Sequence, residues 1–404
     1  MSGSGFGIAL VGLVFSVAPA AAESGMGTVG AWEVVWRYSE AEGYQNRFRE
    51  LAGNDADFPV RWRRIVDGQG DRLAFFDRDG ALEAERSLAP EEDGMASQDG
   101  TACLIWSDRP ESGDRTFRFE RRNVPGSGWD ANSSGDPVLM DANGSFFVLA
   151  SRTLNRDRFQ RIVEDGGGEL RVVGAEGDVL GELPVYPLFS AASGDGRRIL
   201  LLHGSELIAM SRDGRLEWER PVPIDQLTFR AGVLQLAAGP GIVVVCGTGP
   251  ARSVGGGLHR AREGTLLAFD DDGQVLWERR QPSGEELWFQ MSAAVSSDGS
   301  VVATCHARGN VLEVRAWDAS GELLWTQTAV RRSGFRSLSL LESGRLVVLA
   351  QCDNQTSVDA WDAEGTTAWS GIVPFASREA RIVGDDWLIG EQWIVKLTGR
   401  SGEL

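Results

Sequence analysis

Ten residues recur four times along this chain with a single spacing, at Ala209 to Trp218, Ala268 to Trp277, Ala316 to Trp325 and Ala360 to Trp369. Each copy reads Ala-x-(Asp or Ser)-x-x-Gly-x-x-x-Trp, so one small unit has been laid down repeatedly and the chain is bound to a repeat architecture. The Asp suits the start of a type I turn, where its carboxylate caps turn amides. The glycines Gly214, Gly273, Gly321 and Gly365 supply the positive φ that closes a bulged hairpin. Four residues later, Trp218, Trp277, Trp325 and Trp369 are large flat side chains suited to filling the gap between neighbouring sheets.

Between these outer hairpins lies a second kind, richer in small and aliphatic residues, as in SAAVSSDGSVVATC and LSLLESGRLVVLA. The turn glycines therefore alternate: Gly196, Gly214, Gly241, Gly273, Gly299, Gly321, Gly344 and Gly365. An inner and an outer hairpin together make a four-stranded sheet, and radial repetition of such sheets is how a β-propeller avoids long exposed edges. Upstream, Gly80, Gly100, Gly144 and Gly177 continue the pattern in weaker form. Near the C-terminus, ARIVGDDWLIG and EQWIVKLTG are strands of a blade left incomplete, which AWEVVWRY near the N-terminus could finish. The fold expected is an all-β propeller of seven blades, or eight if residues 39–90 hold a full one. Only Ala41 to Leu51 hints at helical periodicity outside the N-terminus.

The ten-residue unit resembles the tryptophan-docking repeat of PQQ-like, or quinoprotein-like, β-propellers. The match is good from about Leu207 to Trp369. That family spans quinone-cofactor dehydrogenases, the outer-membrane assembly lipoprotein and many exported propellers, so the resemblance implies fold and not chemistry. The vicinal Cys-Cys pair of its quinone-binding members is absent: Cys103, Cys246, Cys305 and Cys352 are far apart.

Residues 1–22 carry no charge, run through an apolar stretch from Phe6 to Val17 and end in Ala20, Ala21 and Ala22. This reads as a cleaved secretory signal, leaving residues 23–404 as one propeller domain closed by pairing of its terminal strands, secreted or periplasmic, with no membrane span after cleavage. In an exported chain the four cysteines could pair, but Cys246, Cys305 and Cys352 each end a run of β-formers, where a buried thiol is commoner. The net charge of −18 argues against nucleic acid or an anionic membrane as partner, since both reward a basic footprint.

Catalytic motifs are missing: there is no G-x-S-x-G elbow, P-loop or H-E-x-x-H. The run Asp270 to Asp272 faintly resembles a calcium loop, but the place of its bidentate acid falls on Gln281, and a plain turn explains it better. No catalytic residue, cofactor or metal is therefore expected. The rival expectation is a propeller enzyme, either a quinoprotein-like dehydrogenase or a hydrolase or lyase acting on sugars.

The two rims of the disc differ in composition. Hairpin turns lie on one rim and show Asp213, Asp271, Asp272, Asp298 and Glu364. Links between second and third strands, and between blades, lie on the other and gather His203, Arg252, His259, Arg260, Arg262, Arg308 and Arg336. The link from Gly247 to Gly264 is unusually long, and long loops on rigid scaffolds often carry function. Phe189, Phe229, Phe289, Phe335 and Phe375 open successive inner strands; if Phe packs between blades, the residue after it turns toward the central channel. Arg230, Gln290 and Arg336, joined by His306, His203, Arg308 and Arg260, are thus the candidate binding residues, and guanidinium forks suit a carboxylate. The partner expected is a protein or a small acidic ligand. Pairing of these arginines with Glu219, Glu278, Glu285 and Glu286 is the plain alternative.

Overall fold

The computed structural model describes strands and most tight turns between residues 31 and 398; residues 1–30 and 399–404 lie outside the described residues, as do connecting segments including 47–57, 157–161, 223–234, 254–258, 283–290 and 374–380. Every regular element among the described residues is a strand, and the strands assemble into eight four-stranded antiparallel sheets plus one two-stranded ribbon. The protein is a β-propeller, with the higher of the two expected blade counts. The blades occupy residues 44–87, 92–133, 136–183, 189–221, 235–282, 291–330, 334–373, and finally 381–398 together with the first strand of the chain. They are numbered blade 1 to blade 8 in that order.

Residues 44–87 hold a complete blade, which explains why the faint repeat signal at Gly80 could not decide between seven and eight. Of the stretch Ala41 to Leu51 with its helical hint, residues 44–46 are strand and the rest lies outside the described residues. Strand β2 (Tyr44–Asn46) lies there and pairs with β3 (Phe58–Arg64), so sheet hydrogen bonding overrides a short, weakly patterned stretch.

Blade 8 is assembled from both ends of the chain. Strand β1 (Ala31–Arg37) runs antiparallel to β34 (Trp393–Thr398), with Ala31 opposite Thr398 and Arg37 opposite Trp393.

Among the described residues, seven apolar clusters join the blades in sequence. Leu73 and Phe75 of blade 1 pack with Cys103 and Ile105 of blade 2; at the other end, Trp369 of blade 7 shares a cluster with Leu388 of blade 8. The second strands of blades 2 to 7 are buried on both faces and read as near-continuous apolar runs, such as Ile199 to Leu202 and Ile242 to Cys246. Outer strands alternate, because only one face meets a neighbouring blade.

The outer hairpin shows why the repeat has its spacing. In blade 5, β22 (Glu263–Phe269) pairs with β23 (Val275–Pro282) so that Phe269 opposes Val275 and Ala268 opposes Trp277, leaving Leu276 as an extra residue. Side chains alternate along a strand, so this one-residue bulge returns Trp277 to the face of Ala268 and Leu266, which packs on blade 6. Glu217, Leu324 and Ala368 are skipped in the same way in blades 4, 6 and 7.

Candidate functional site: the blade junctions and the link rim

Three of the docking Trp, those of blades 4, 5 and 6, are held by the turn of the following blade. Trp218 Nε1 donates to Asp271 O at 2.8 Å, Trp277 Nε1 to Ala319 O at 2.9 Å, and Trp325 Nε1 to Ala363 O at 2.9 Å. The ring lies against the turn glycine: a Cβ added at Gly273, Gly321 or Gly365 would come within 2.6–2.8 Å of ring atoms of Trp218, Trp277 or Trp325 respectively. These glycines also have φ between 71° and 81°. Glycine is thus required twice over, by backbone conformation and by the ring.

The turn is built by its aspartate. Asp270 Oδ1 accepts from the amides of Asp272 at 2.9 Å and Gln274 at 2.7 Å, and Asp318 and Asp362 repeat the second contact with Glu322 and Thr366. The Asp270 to Asp272 run is a hairpin turn, as the plain reading held.

Three features of the junctions were not read from the sequence. Two residues past the Trp, Arg220 Nε donates to Gly273 O at 2.8 Å, Arg279 NH2 to Gly321 O at 2.6 Å, and Gln327 Nε2 to Gly365 O at 2.8 Å. The signal was present as Trp-x-(Arg or Gln), but exposed polar residues two past an aromatic ring have no obvious packing role. Trp129, outside the ten-residue pattern, docks all the same, its Nε1 donating to Ala175 O at 2.7 Å above Gly177. At the next junction Gly181 stands where the Trp belongs, and the backbones of Gly181 and Gly214 meet so closely that a Cβ on Gly181 would lie 2.2 Å from Gly214 Cα.

The candidate binding residues fall as follows. Arg230 and Gln290 lie outside the described residues. His203 ends β15 (Arg198–His203) of blade 4, opposite Glu206. Arg260 is in β21 (His259–Ala261), opposite Arg252 in β20 (Ala251–Ser253). His306 and Arg308 close β25 (Val301–Arg308) of blade 6, and Arg336 lies at the register shift near the start of β28 (Gly334–Leu340) of blade 7. The topology gathers all five at the strand ends away from the hairpin turns, spread over blades 4 to 7.

His306 is buried, 3% exposed, and its Nε2 lies 3.8 Å from Glu313 Oε2, its cross-strand neighbour on β26 (Val311–Asp318). Arg315 completes the group by an ion pair with Glu313. β25 is the second strand of its blade, and alternation sets His306 on the same side as Val302, which packs against blade 5. Glu206 and Glu313 occupy the same repeat position, three residues before Ala209 and Ala316, so two blades carry a cross-strand His–Glu pair at one place. Beside the first, the Glu219 carboxyl is raised above its usual range because its protonated form donates a hydrogen bond to Glu206 and the negative charge of Glu206 opposes its ionisation, partly offset by His203.

Glu278, one of the glutamates offered as a partner for those arginines, pairs with Arg280 at 2.6 Å. Cys103, Cys246 and Cys305 are buried, which for Cys246 and Cys305 is the outcome expected of thiols ending β runs, and burial pushes the Cys103 thiol up to about 11. Among the described residues no group of three or more His, Cys, Asp or Glu could hold a metal ion, and no helix is long and apolar enough to cross a membrane.

Comparison with known proteins agrees with the repeat geometry. Residues 262–403 match the family model described as outer membrane protein assembly factor BamB. The chain carries PQQ-like repeats. No curated protein matches it. Among solved structures, it is similar to a prolyl endopeptidase at 14% identity and TM-score 0.46, covering 83% of this chain and 51% of that one, so it spans about half that enzyme's length. It is also similar to the β-propeller domain of the trilobed protease from Pyrococcus furiosus, at 9% identity and TM-score 0.49, covering 80% and 97%. TolB from Acinetobacter baumannii is a further similar structure, at 12% identity and TM-score 0.36, covering 80% and 66%.

Proposed function

We propose that this protein is an exported, non-catalytic propeller, closed into one ring over residues 23–404, that works as a binding or scaffold module in the periplasm or beyond. Its partner is a protein or a small acidic ligand, engaged through the link rim. The observation that carries this reading is the placement of His203, Arg260, Arg308 and Arg336 at one set of strand ends on blades 4 to 7, in a chain of net charge −18. A rigid disc that presents basic groups on one edge favours an anionic partner by electrostatic complementarity, with affinity drawn from a broad surface. The match over residues 262–403 to a family model named for outer-membrane assembly supports a protein partner in an envelope. The apolar, uncharged run of residues 1–22 supports export through a cleaved signal.

The test is affinity capture by the mature protein from envelope extract, compared between wild type and an Arg308→Ala/Arg336→Ala variant. Mass spectrometry identifies captured proteins and any small molecule released on unfolding. A partner retained by wild type and lost by the variant supports the reading; a stoichiometric quinone or sugar in the released fraction overturns it.

A further inference from the structure

The link rim carries one element with no counterpart in the neighbouring blades. In blades 4, 6 and 7 the second and third strands are separated only by residues 204–205, 309–310 and 353–354. In blade 5, β19 (Ile242–Thr248) is followed by a separate two-stranded ribbon, β20 and β21, before β22 begins. The hairpin of blade 3 is also extended there: β11 (Phe146–Arg156) and β12 (Ile162–Gly174) stay paired as far as Arg156 opposite Ile162. Two ribbons thus rise on either side of the short link edge of blade 4, where His203 stands opposite Glu206.

The blade 5 ribbon has two properties that a spacer does not need. Its register sets Arg252 opposite Arg260 and Ser253 opposite His259, and no acidic residue occurs in either strand. Like charges directly opposite in an antiparallel pair destabilise it, so this register is disfavoured until an anion lies nearby. Among the described residues the ribbon pairs with no other strand, and an unpaired strand edge carries backbone donors and acceptors. An open edge adds an extended peptide as a further strand, and side chains at alternate positions then decide which peptide.

We propose that the β20–β21 ribbon is the docking element of this propeller, and that its occupant is an extended acidic segment of a partner protein, added as a third strand beside Arg252 and Arg260. This rests on the link-rim reading above and narrows it to one element and one partner chemistry. Charge complementarity selects the occupant: the chain as a whole is strongly acidic, and an acidic strand is drawn to the ribbon where Arg252, Arg260 and His259 gather and which no other described strand covers.

The test uses the mature full-length protein and a fluorescein-labelled peptide of about ten residues alternating Glu and Val, a length that matches a strand. Binding is followed by fluorescence anisotropy at low ionic strength. Wild type binds, and Arg252→Glu/Arg260→Glu weakens binding by about tenfold or more. Arg252→Gln/Arg260→Gln repeats the loss in a milder variant, with Trp fluorescence confirming that the propeller is intact. A second peptide of equal charge with Pro at alternate positions lacks the strand donors and binds wild type more weakly. Equal binding by wild type and both variants overturns the proposal. Equal binding of the Pro peptide also overturns it, because charge alone would suffice. So does arginine-dependent binding of anionic phosphatidylglycerol vesicles without peptide binding, or arginine-dependent self-association. If a partner captured from envelope extract is still held by the ribbon variant but lost by Arg308→Ala/Arg336→Ala, the ribbon inference fails while the link-rim reading stands.

Discussion

Replacing Gly321 by Ala separates the two demands made on a docking glycine. The substitution forces a side chain into φ 80°, which costs about 1–2 kcal/mol on backbone grounds. It also sets Cβ 2.6 Å from Trp277 Cγ and 2.7 Å from Cδ2. Carbon contacts favour about 3.5–4.0 Å, so the ring must retreat by about 1 Å, an overpacking cost of about 1–3 kcal/mol. The retreat strains the Trp277 Nε1 bond to Ala319 O as well. The expected total is about 2–5 kcal/mol. Gly241 is the internal control: its φ is 73°, yet nothing lies within 4 Å of an added Cβ, so Gly241→Ala should show the backbone part alone. Urea unfolding followed by circular dichroism gives both values. The double variant Gly321→Ala/Trp277→Ala should then be less damaging than the sum of its parts, because removing the ring removes the clash. If Gly241→Ala and Gly321→Ala cost the same, or if the double variant is strictly additive, ring docking does not constrain the turn and the reasoning is wrong.

Three further outcomes are expected. Gly181→Ala should destabilise by about 1–3 kcal/mol although its backbone is not left-handed, because the added carbon meets the Gly214 backbone and cannot displace a flexible side chain; an unchanged urea midpoint would count against that close approach. Asp298 is held at about 2 by hydrogen bonds from the Ser296 hydroxyl and from the Ser300 amide and hydroxyl. A depressed carboxylate contributes stability that is present above its unfolded value of about 3.9 and lost as pH falls toward about 2, so Asp298→Asn should flatten the stability profile over that window and a parallel profile would refute the assignment. In a Cys352→Ser background, Cys103, Cys246 and Cys305 should resist a thiol reagent at pH 8 in the folded protein and react together on unfolding; fast labelling of Cys103 in the native state would contradict its burial.

The repeat itself was legible because it is local. Asp270, Gly273 and Trp277 act within one hairpin or against the next one, and turn chemistry plus alternation are short-range rules that a spacing can encode. The blade of blended ends was also readable, since the incomplete strands at residues 381–398 and the spare strand at Ala31–Arg37 leave each other as partners. The exact number of blades was not: residues 44–87 form a full sheet without a Trp in the repeat position, and only strand pairing reveals it.

Which polar groups face one another was decided by tertiary structure alone. His306 belongs by composition to the basic rim, yet it stands on a second strand whose register sets it against Glu313 inside a blade interface. Arg252 and Arg260 meet across a ribbon because of a pairing offset that no periodicity in Gly247 to Gly264 announces. Sequence by itself determined a chain of alternating hairpins with tryptophan-on-glycine junctions, because those contacts repeat at fixed short spacing. Folding decided the rest, because a contact between distant strands depends on register, and one residue of shift exchanges a buried face for an exposed one.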